Sequence, residues 1–344
     1  MTAVLLVRLG ALGDVVHAMP VVAALRAHFP DARIDWLIDP KYLDVAQLVS
    51  GLTRAVPFDP RALMASDERA ETVRTLGDLR AQTYDVVLDL QGLVKSAAAA
   101  RLVGGRETIG FSRDELREPA ARVFYTRSVT VPPSATHVIQ KNLALLRALD
   151  LEPGEPVFNL SRPPSAAAER LPQLVGGAGY AVLNPGAAWP NKRWPAERFG
   201  ALAHALRAAH GVTPVVVWGP GEEELASAVV DASRGAATLA PPTTTVDLFS
   251  VMRGARVVVS GDTGPLHIAT AVGTPVVALF GPTSPQRNGP WRAEDVTVVP
   301  AGTCDCSYER RCRRASPCID EIEVDQVIRA VDTRLARTSH GAGA

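Results

Sequence analysis

The sequence predicts a doubly wound α/β fold, repeated in two successive halves. Short, apolar, β-branched runs such as Ala3 to Arg8, Asp85 to Leu90, Tyr180 to Leu183 and Val257 to Val259 read as strands buried on both faces. Each is followed by a small polar loop and then by a helical stretch, the rhythm of a parallel sheet. At 344 residues the chain exceeds one comfortable core, on a prior of roughly 100–200 residues per domain. A passage rich in proline and turn residues, Glu152 to Pro164, divides it, so we place one domain at 1–158 and the next at 159–323.

The first half opens β-α-β. Ala3 to Arg8 is a strand, Leu9 to Asp14 its turn, and Val15 to His28 a helix that tolerates Pro20 as a kink. Phe29-Pro30-Asp31 breaks the helix before a second strand, Ala32 to Ile38. Gly10, Gly13 and Asp39 resemble a dinucleotide fingerprint, which makes an NAD-dependent oxidoreductase the competing class. The spacing is Gly-x-x-Gly, however, and Asp14 stands where the glycine pattern would continue. A carboxylate facing a pyrophosphate is electrostatically wrong, so Asp14 reads as a helix cap or as a base.

Leu43 to Pro57 supplies a short helix and a strand leading to Asp59-Pro60-Arg61, and Ser66 to Gln82 a charged helix. After the strand Asp85 to Leu90 come Gln91, Lys95 and Ser96, then an alanine-rich helix. A lysine in a first turn opposes the helix dipole, which points to a nearby anion; a solvated lysine is the plainer reading. Ile109 to Arg127 is a basic, aromatic-bearing region or an ordinary surface loop, and His137 to Leu149 is a helix.

In the second half, Tyr180 to Leu183 leads into the irregular loop Asn184 to Trp194, which carries Lys192 and Arg193. Pro195 to Ala209 is a helix, Thr213 to Trp218 a strand ending near Glu222, Glu223 to Ser233 a helix, and Asp247 to Ala255 a short one. Val257 to Thr283 organises the rest as strand, Gly-Asp-Thr-Gly-Pro turn, helix and strand. Its loop lies at the carboxyl end of a strand and the amino end of a helix, where unpaired N–H groups receive anions. Asp262, Thr263 and His267 add polar groups there; a plain cap is the alternative.

Composition narrows the function. Lysine plus arginine equals aspartate plus glutamate at 36 each, so no global field draws the chain to nucleic acid. No apolar run approaches the ~18–20 residues of a membrane span. Arg8 and Asp14 interrupt the apolar start, which argues against a signal peptide and for a cytoplasmic chain with reduced thiols.

Five blocks now carry a resemblance: VRLGALGDVVHAMP, DVVLDLQGLVKSA, REPAARVFYTR, NPGAAWPNKRWP and VVSGDTGPLHIATAVGTPVVALFGPT. Together they resemble glycosyltransferase family 9, the ADP-heptose:lipopolysaccharide heptosyltransferases. The QGLVKSA and REP…FYTR stretches are most similar to its heptosyltransferase I branch. The resemblance implies a GT-B fold, two Rossmann-like domains facing a cleft, with a terminal helix at 324–337 packing back on the first domain. It implies inverting transfer of heptose from ADP-heptose to the Kdo of Kdo2-lipid A. Contact with the inner face of the inner membrane would be peripheral, through the lipid acceptor, and catalysis would need no cofactor. A later heptose acceptor or another nucleotide sugar is the alternative within the family.

Carried onto this chain, the resemblance makes Asp14 the general base and sets Lys192 against the leaving diphosphate. Asn184 joins the donor site, Glu222 lies at the ribose, and Asp262 contacts the sugar. Thr263 and Gly264 meet the phosphates, with His267 at the same helix start. Arg61, Gln91, Lys95 and Arg117 fall in the region that receives the acidic acceptor.

Beyond Pro282 the resemblance to the heptosyltransferase I branch fades. Cys304, Cys306, Cys312 and Cys318 cluster there, beside Arg310, Arg311, Arg313 and Arg314. Four thiols suffice for a tetrahedral structural zinc, but the spacing is not the usual pair of Cys-x-x-Cys knuckles. Zinc, an iron–sulfur cluster and plain reduced cysteines therefore stay open. The arginines are read as a solvated loop or as a patch for lipid phosphate. Residues 338–344 are expected to form a disordered tail.

Overall fold

The computed structural model describes residues 1–64, 69–302, 304, 306 and 308–341. The chain divides into two units, Met1–Ser161 and Arg162–Ala344. The division falls just past the sequence-derived boundary because residues 159–161 are tied to the first unit. Ser50 N donates to Asn159 O, and Ser161 N to Leu48 O, around a bridge between Val49 and Leu160.

In the first unit, strands β1 (Ala3–Val7), β2 (Arg33–Ile38), β3 (Arg54–Pro57), β4 (Tyr84–Asp89), β5 (Gly105–Phe111) and β6 (Arg127–Val129) form one sheet. Its order is β3-β2-β1-β4-β5-β6, parallel throughout. The helices are α1 (Leu12–His28), α2 (Leu43–Ala46), α3 (Arg69–Ala81), α4 (Val94–Val103) and α5 (Val138–Ala144). Helix α1 is buried almost all round, from Val15 through Leu25, and packs on α5. This explains why its apolar residues are not confined to one stripe. The Ile109 to Arg127 region begins in the end of β5 and closes on the first residue of β6, strands that neither sequence reading anticipated. Residues 65–68 of the expected charged helix lie outside the described residues.

The second unit repeats the winding. It contains α6 (Ala166–Leu174), β7 (Tyr180–Asn184), α7 (Ala196–His210), β8 (Thr213–Val216), α8 (Glu223–Ala232) and β9 (Thr238–Leu239). Next come α9 (Thr245–Arg253), β10 (Val257–Gly261), α10 (Gly264–Ala271), β11 (Val276–Leu279), α11 (Pro285–Asn288), β12 (Val296–Val298) and α12 (Val324–Gly341). The sheet runs β12-β11-β10-β7-β8-β9, again all parallel. Counted from its own first strand, this is the order of the first sheet. In both, the winding reverses between two central strands, β1 and β4 or β7 and β10. Open sheets of this kind take ligands outside the carboxyl ends of those strands.

Helix α12 packs on α7, β11 and β12 of its own unit. The cause is its buried stripe: Val327, Ala330 and Val331 join the second core at helical spacing. One turn on, the buried Arg334 donates from Nε to Asp295 Oδ1 at 2.6 Å. Helix α12 also runs to Gly341, through residues 338–341 of the expected tail; 342–344 lie outside the described residues. Among the described residues, no helix is long and apolar enough to cross a membrane.

Candidate active site

At the reversal point of the second sheet, β10 ends in Gly261 and the chain turns through Asp262 and Thr263 into α10. Proline in the first turn of α10 suits a helix start, where a missing N–H costs nothing. The Asp262 side chain is nearly buried and fully engaged. Lys192 Nζ donates to Oδ2 at 2.6 Å and to the Asp262 carbonyl at 3.2 Å. Thr283 Oγ1, just past β11, donates to Oδ2 at 2.6 Å, and His267 Nε2 lies 3.4 Å from Oδ1. Burial alone would raise the Asp262 carboxyl. The hydrogen bond and charge of His267, and then the Lys192 ammonium, outweigh it and hold the group below the ordinary carboxylate range.

Lys192 is supported from below by the Trp189 ring, 4.6 Å from Nζ to the centroid. An ammonium has three donors. Asp262 takes two, and among the described residues no hydrogen bond takes the third. Asn184, at the end of β7, joins the two loops: its Nδ2 donates to Ser260 Oγ at 2.9 Å and Thr263 Oγ1 at 3.0 Å. The Glu222 carboxylate accepts Gly219 N at 3.1 Å and covers Gly186 so closely that a Cβ there would lie 2.1 Å from Oε2. Asn184, Lys192, Asp262, Thr263 and His267 are thus brought together, with Gly264 opening the helix, and Glu222 adjoins them through the Gly186 turn. The arrangement offers an anion one cation and a helix amino end.

In the first unit, Asp14 lies in the first turn of α1, not ahead of the helix. Its Oδ2 accepts Ala11 N at 3.2 Å, and its Oδ1 lies 2.6 Å from Arg8 Nη2. Gln91 Oε1 accepts Leu9 N at 2.8 Å, so this amide links the ends of β1 and β4. Arg61 is open to solvent and paired with Asp59 at 2.9 Å, and Lys95, also exposed, lends its charge to the same Asp59. Arg117 is exposed. Its neighbour Glu118 accepts Val94 N at 2.8 Å and so caps α4, the helix bearing Lys95. Beneath this loop Asp89 is fully buried. It takes Gln91 N, Gly92 N, Ser96 Oγ and Tyr125 OH, while burial pushes its carboxyl up.

Sequence reasoning missed Arg8 and Thr283. Arg8 carried a signal, a charged residue directly closing the apolar run of β1, whereas Thr283 lies four residues past β11 and carried none.

The cysteines lie beyond β12. Cys306 and Cys312 have their sulfurs 3.5 Å apart, and Arg313 N donates to Cys306 Sγ at 3.0 Å. Burial and then the neighbouring Cys304 push the Cys318 thiol up to about 12, so it keeps its proton at neutral pH. Among the described residues, no three His, Cys, Asp or Glu side chains gather so as to hold a metal ion. Of the four arginines beside them, Arg313 pairs with Glu309 and Arg314 with Glu321.

Two parallel sheets of this winding, with a cation and a helix amino end at the reversal point of the second, define a glycosyltransferase of the GT-B class. The family model for glycosyltransferase family 9 (heptosyltransferase) matches residues 73–316, and the chain belongs to that family, the lipopolysaccharide heptosyltransferases. It is 30% identical to lipopolysaccharide heptosyltransferase 1 of Pseudomonas aeruginosa, over 89% of this chain and 88% of that one. It is 28% identical to lipopolysaccharide heptosyltransferase 3 of Escherichia coli, over 96% and 98%. The solved structure of E. coli heptosyltransferase WaaC with ADP-2-deoxy-2-fluoro heptose covers 96% of this chain, and this chain covers 99% of it. Their TM-score is 0.77 at 25% identity.

Proposed function

We propose that the protein transfers heptose from ADP-heptose to the Kdo of Kdo2-lipid A, with inversion at the anomeric carbon. The observation that carries the donor half is Lys192, held on Asp262 beside the amino end of α10, its third donor taken by no hydrogen bond among the described residues. In this reading the diphosphate lies against Lys192 Nζ, Thr263 and Gly264. Glu222 meets the ribose, Asp262 and Asn184 border the donor, and His267 steadies Asp262. Breaking the bond from the anomeric carbon to the diphosphate leaves charge on ADP, which preorganised donors stabilise.

Asp14 is the base of the reading. Its carboxylate takes the proton of the acceptor hydroxyl as that oxygen attacks the anomeric carbon, and no covalent sugar–enzyme intermediate forms. Arg61, Lys95 and Arg117 suit an acceptor rich in carboxylates and phosphates, with Gln91 setting the loop. No step uses a metal or cofactor. Contact with the inner membrane is peripheral, made through the lipid acceptor, and the protein works on the cytoplasmic side.

The test offers the purified protein a panel of nucleotide sugars with Kdo2-lipid A, or with the same lipid already carrying heptose, and follows nucleotide release. Release from ADP-heptose with the unheptosylated lipid alone is the expected result. Release only with the heptosylated lipid would transfer the protein to a later step, in keeping with its 28% identity to a heptosyltransferase 3. No release from ADP-heptose with either lipid would end the reading.

A further inference from the structure

We propose that Arg8 is a positioning residue for the transfer reaction, one that fixes where the Asp14 carboxylate points. The inference rests on the reading of Asp14 as general base. Arg8 follows the last residue of β1, where the buried run Ala3–Val7 would be continued most cheaply by another apolar side chain. Instead the chain places a guanidinium there and buries it, leaving the residue 7% exposed. A buried charge is costly unless paired and hydrogen-bonded.

The guanidinium is held at both ends. Nη1 donates to Leu90 O, just past β4, and Nη2 lies 2.6 Å from Asp14 Oδ1. The Arg8 backbone is pinned as well: its N–H donates to Leu37 O at 3.2 Å, and its carbonyl accepts Trp36 Nε1 at 3.1 Å. Arg8 is therefore a rigid strut from the core of the sheet to a carboxylate on α1. Asp14 is gripped on Oδ1 by this strut and on Oδ2 by Ala11 N, yet its side chain remains 39% exposed. It is anchored on two sides and open on a third.

Arg8 neither gives nor takes a proton in the reaction, because a guanidinium stays protonated. Its contribution is geometric. Proton transfer needs the base within about 2.6–3.2 Å of the hydroxyl, and a misplacement near 1 Å can cost about 10²-fold in rate. Lacking the strut, Asp14 would be held by Ala11 N alone, with Oδ1 no longer fixed.

The experiment compares Arg8→Gln, Arg8→Lys, Asp14→Asn and Arg8→Gln/Asp14→Asn by steady-state ADP release and by ADP binding calorimetry. For Arg8→Gln, kcat should fall about 10²-fold while ADP affinity and donor KM stay at wild-type values. Arg8→Lys, with a cation but no fork, should lose less, its kcat falling about tenfold below wild type. In the Asp14→Asn background, adding Arg8→Gln should cost nothing further, since the two act as one unit. Wild-type kcat for Arg8→Gln, a multiplicative loss in the double variant, or a parallel loss of ADP affinity each overturns the proposal. Should Arg8→Gln not fold, Arg8→Lys decides alone: a fall in kcat at unchanged ADP affinity supports it, and an unchanged kcat sinks it. Full turnover in Asp14→Asn would remove the base reading itself. An inactive Asp14→Asn beside an active Arg8→Gln removes only the strut.

Discussion

Lys192 Nζ sits between two oxygens of a single residue, the carboxylate of Asp262 at 2.6 Å and its main-chain carbonyl at 3.2 Å. The first contact places a cation and the second fixes the turn that leads into α10. One side chain therefore both presents charge and holds the shape of the loop around it. Substitutions on either side of this pair should disturb ligand binding and stability together.

For Lys192→Gln we expect ADP affinity to drop and turnover to fall about 10²–10³-fold, the usual cost of removing one preorganised donor. The variant also removes the lysine cation from a carboxylate that is 5% exposed, leaving it Thr283 and His267. Breaking a buried pair from one side costs about 3–5 kcal/mol, and the partly open Lys192 side chain puts this case at the low end. Calorimetric titration with ADP and urea unfolding measure the two effects separately. Unchanged ADP affinity with full activity would remove Lys192 from the site.

The Asp262 carboxyl also sets a pH dependence. Its folded-state value is depressed below the ordinary 3.8, so the unfolded chain binds the proton first as pH falls. The stabilisation is fully present above the unfolded value and is lost progressively below about pH 5, as acid approaches the folded-state value. Asp262→Asn abolishes this titration. The stability gap between wild type and variant should narrow as pH is lowered through about 4. A gap that stayed constant down to about pH 3 would contradict the assignment.

In the first unit, Tyr125→Phe removes one of two hydroxyls that donate to Asp89 Oδ2, the other being Ser96. Under-satisfying a buried acceptor costs about 1–3 kcal/mol. Because Asp89 Oδ1 shapes the turn through Gln91 N and Gly92 N, the loss should also loosen the segment carrying Lys95. We expect a lower melting temperature and an acceptor KM that rises more than the donor KM. Equal changes in both would detach this brace from the acceptor side.

Much of this architecture was legible in the sequence. β1, β7, β10 and β11 are short, largely apolar runs, and β2 and β4 hold enough aliphatic residues beside Arg33, Asp35, Asp85 and Asp89 to read the same way. β5 was not, because Gly105–Phe111 reads GRETIGF, with charges and glycines where a buried strand would show aliphatics. β9 and β12 span only Thr238–Leu239 and Val296–Val298, too short for any periodicity to register. For α12 the apolar stripe was visible but not its partner, since a pattern shows that a face is buried and not against what. In the site, the residue types at the strand ends were readable. Their bonding was not: Gln91 spends its amide oxygen on Leu9 N, and Asp262 is saturated by Lys192, His267 and Thr283. The Leu9–Gln91 and Lys192–Asp262 contacts join residues 82 and 70 positions apart, brought together by the sheet and not by local spacing.

Gly186→Ala isolates the Glu222 contribution. A Cβ at residue 186 would lie 2.1 Å from Glu222 Oε2 and 2.4 Å from its Cδ, so the carboxylate must move away. The clash is with the far end of a flexible side chain, and among the described residues Glu222 has Gly219 N to lose as a hydrogen-bond partner, at 3.1 Å. Folding should be little affected, with a stability change of about 1 kcal/mol for the lost hydrogen bond. Donor affinity should fall as far as in Glu222→Ala, because both variants take the carboxylate out of its place. In the double variant Gly186→Ala/Glu222→Ala, the glycine substitution then has nothing left to displace, and ADP affinity should equal that of Glu222→Ala. A further loss in the double variant would mean that the Gly186 backbone itself meets the ligand, and the role would pass from Glu222 to the turn.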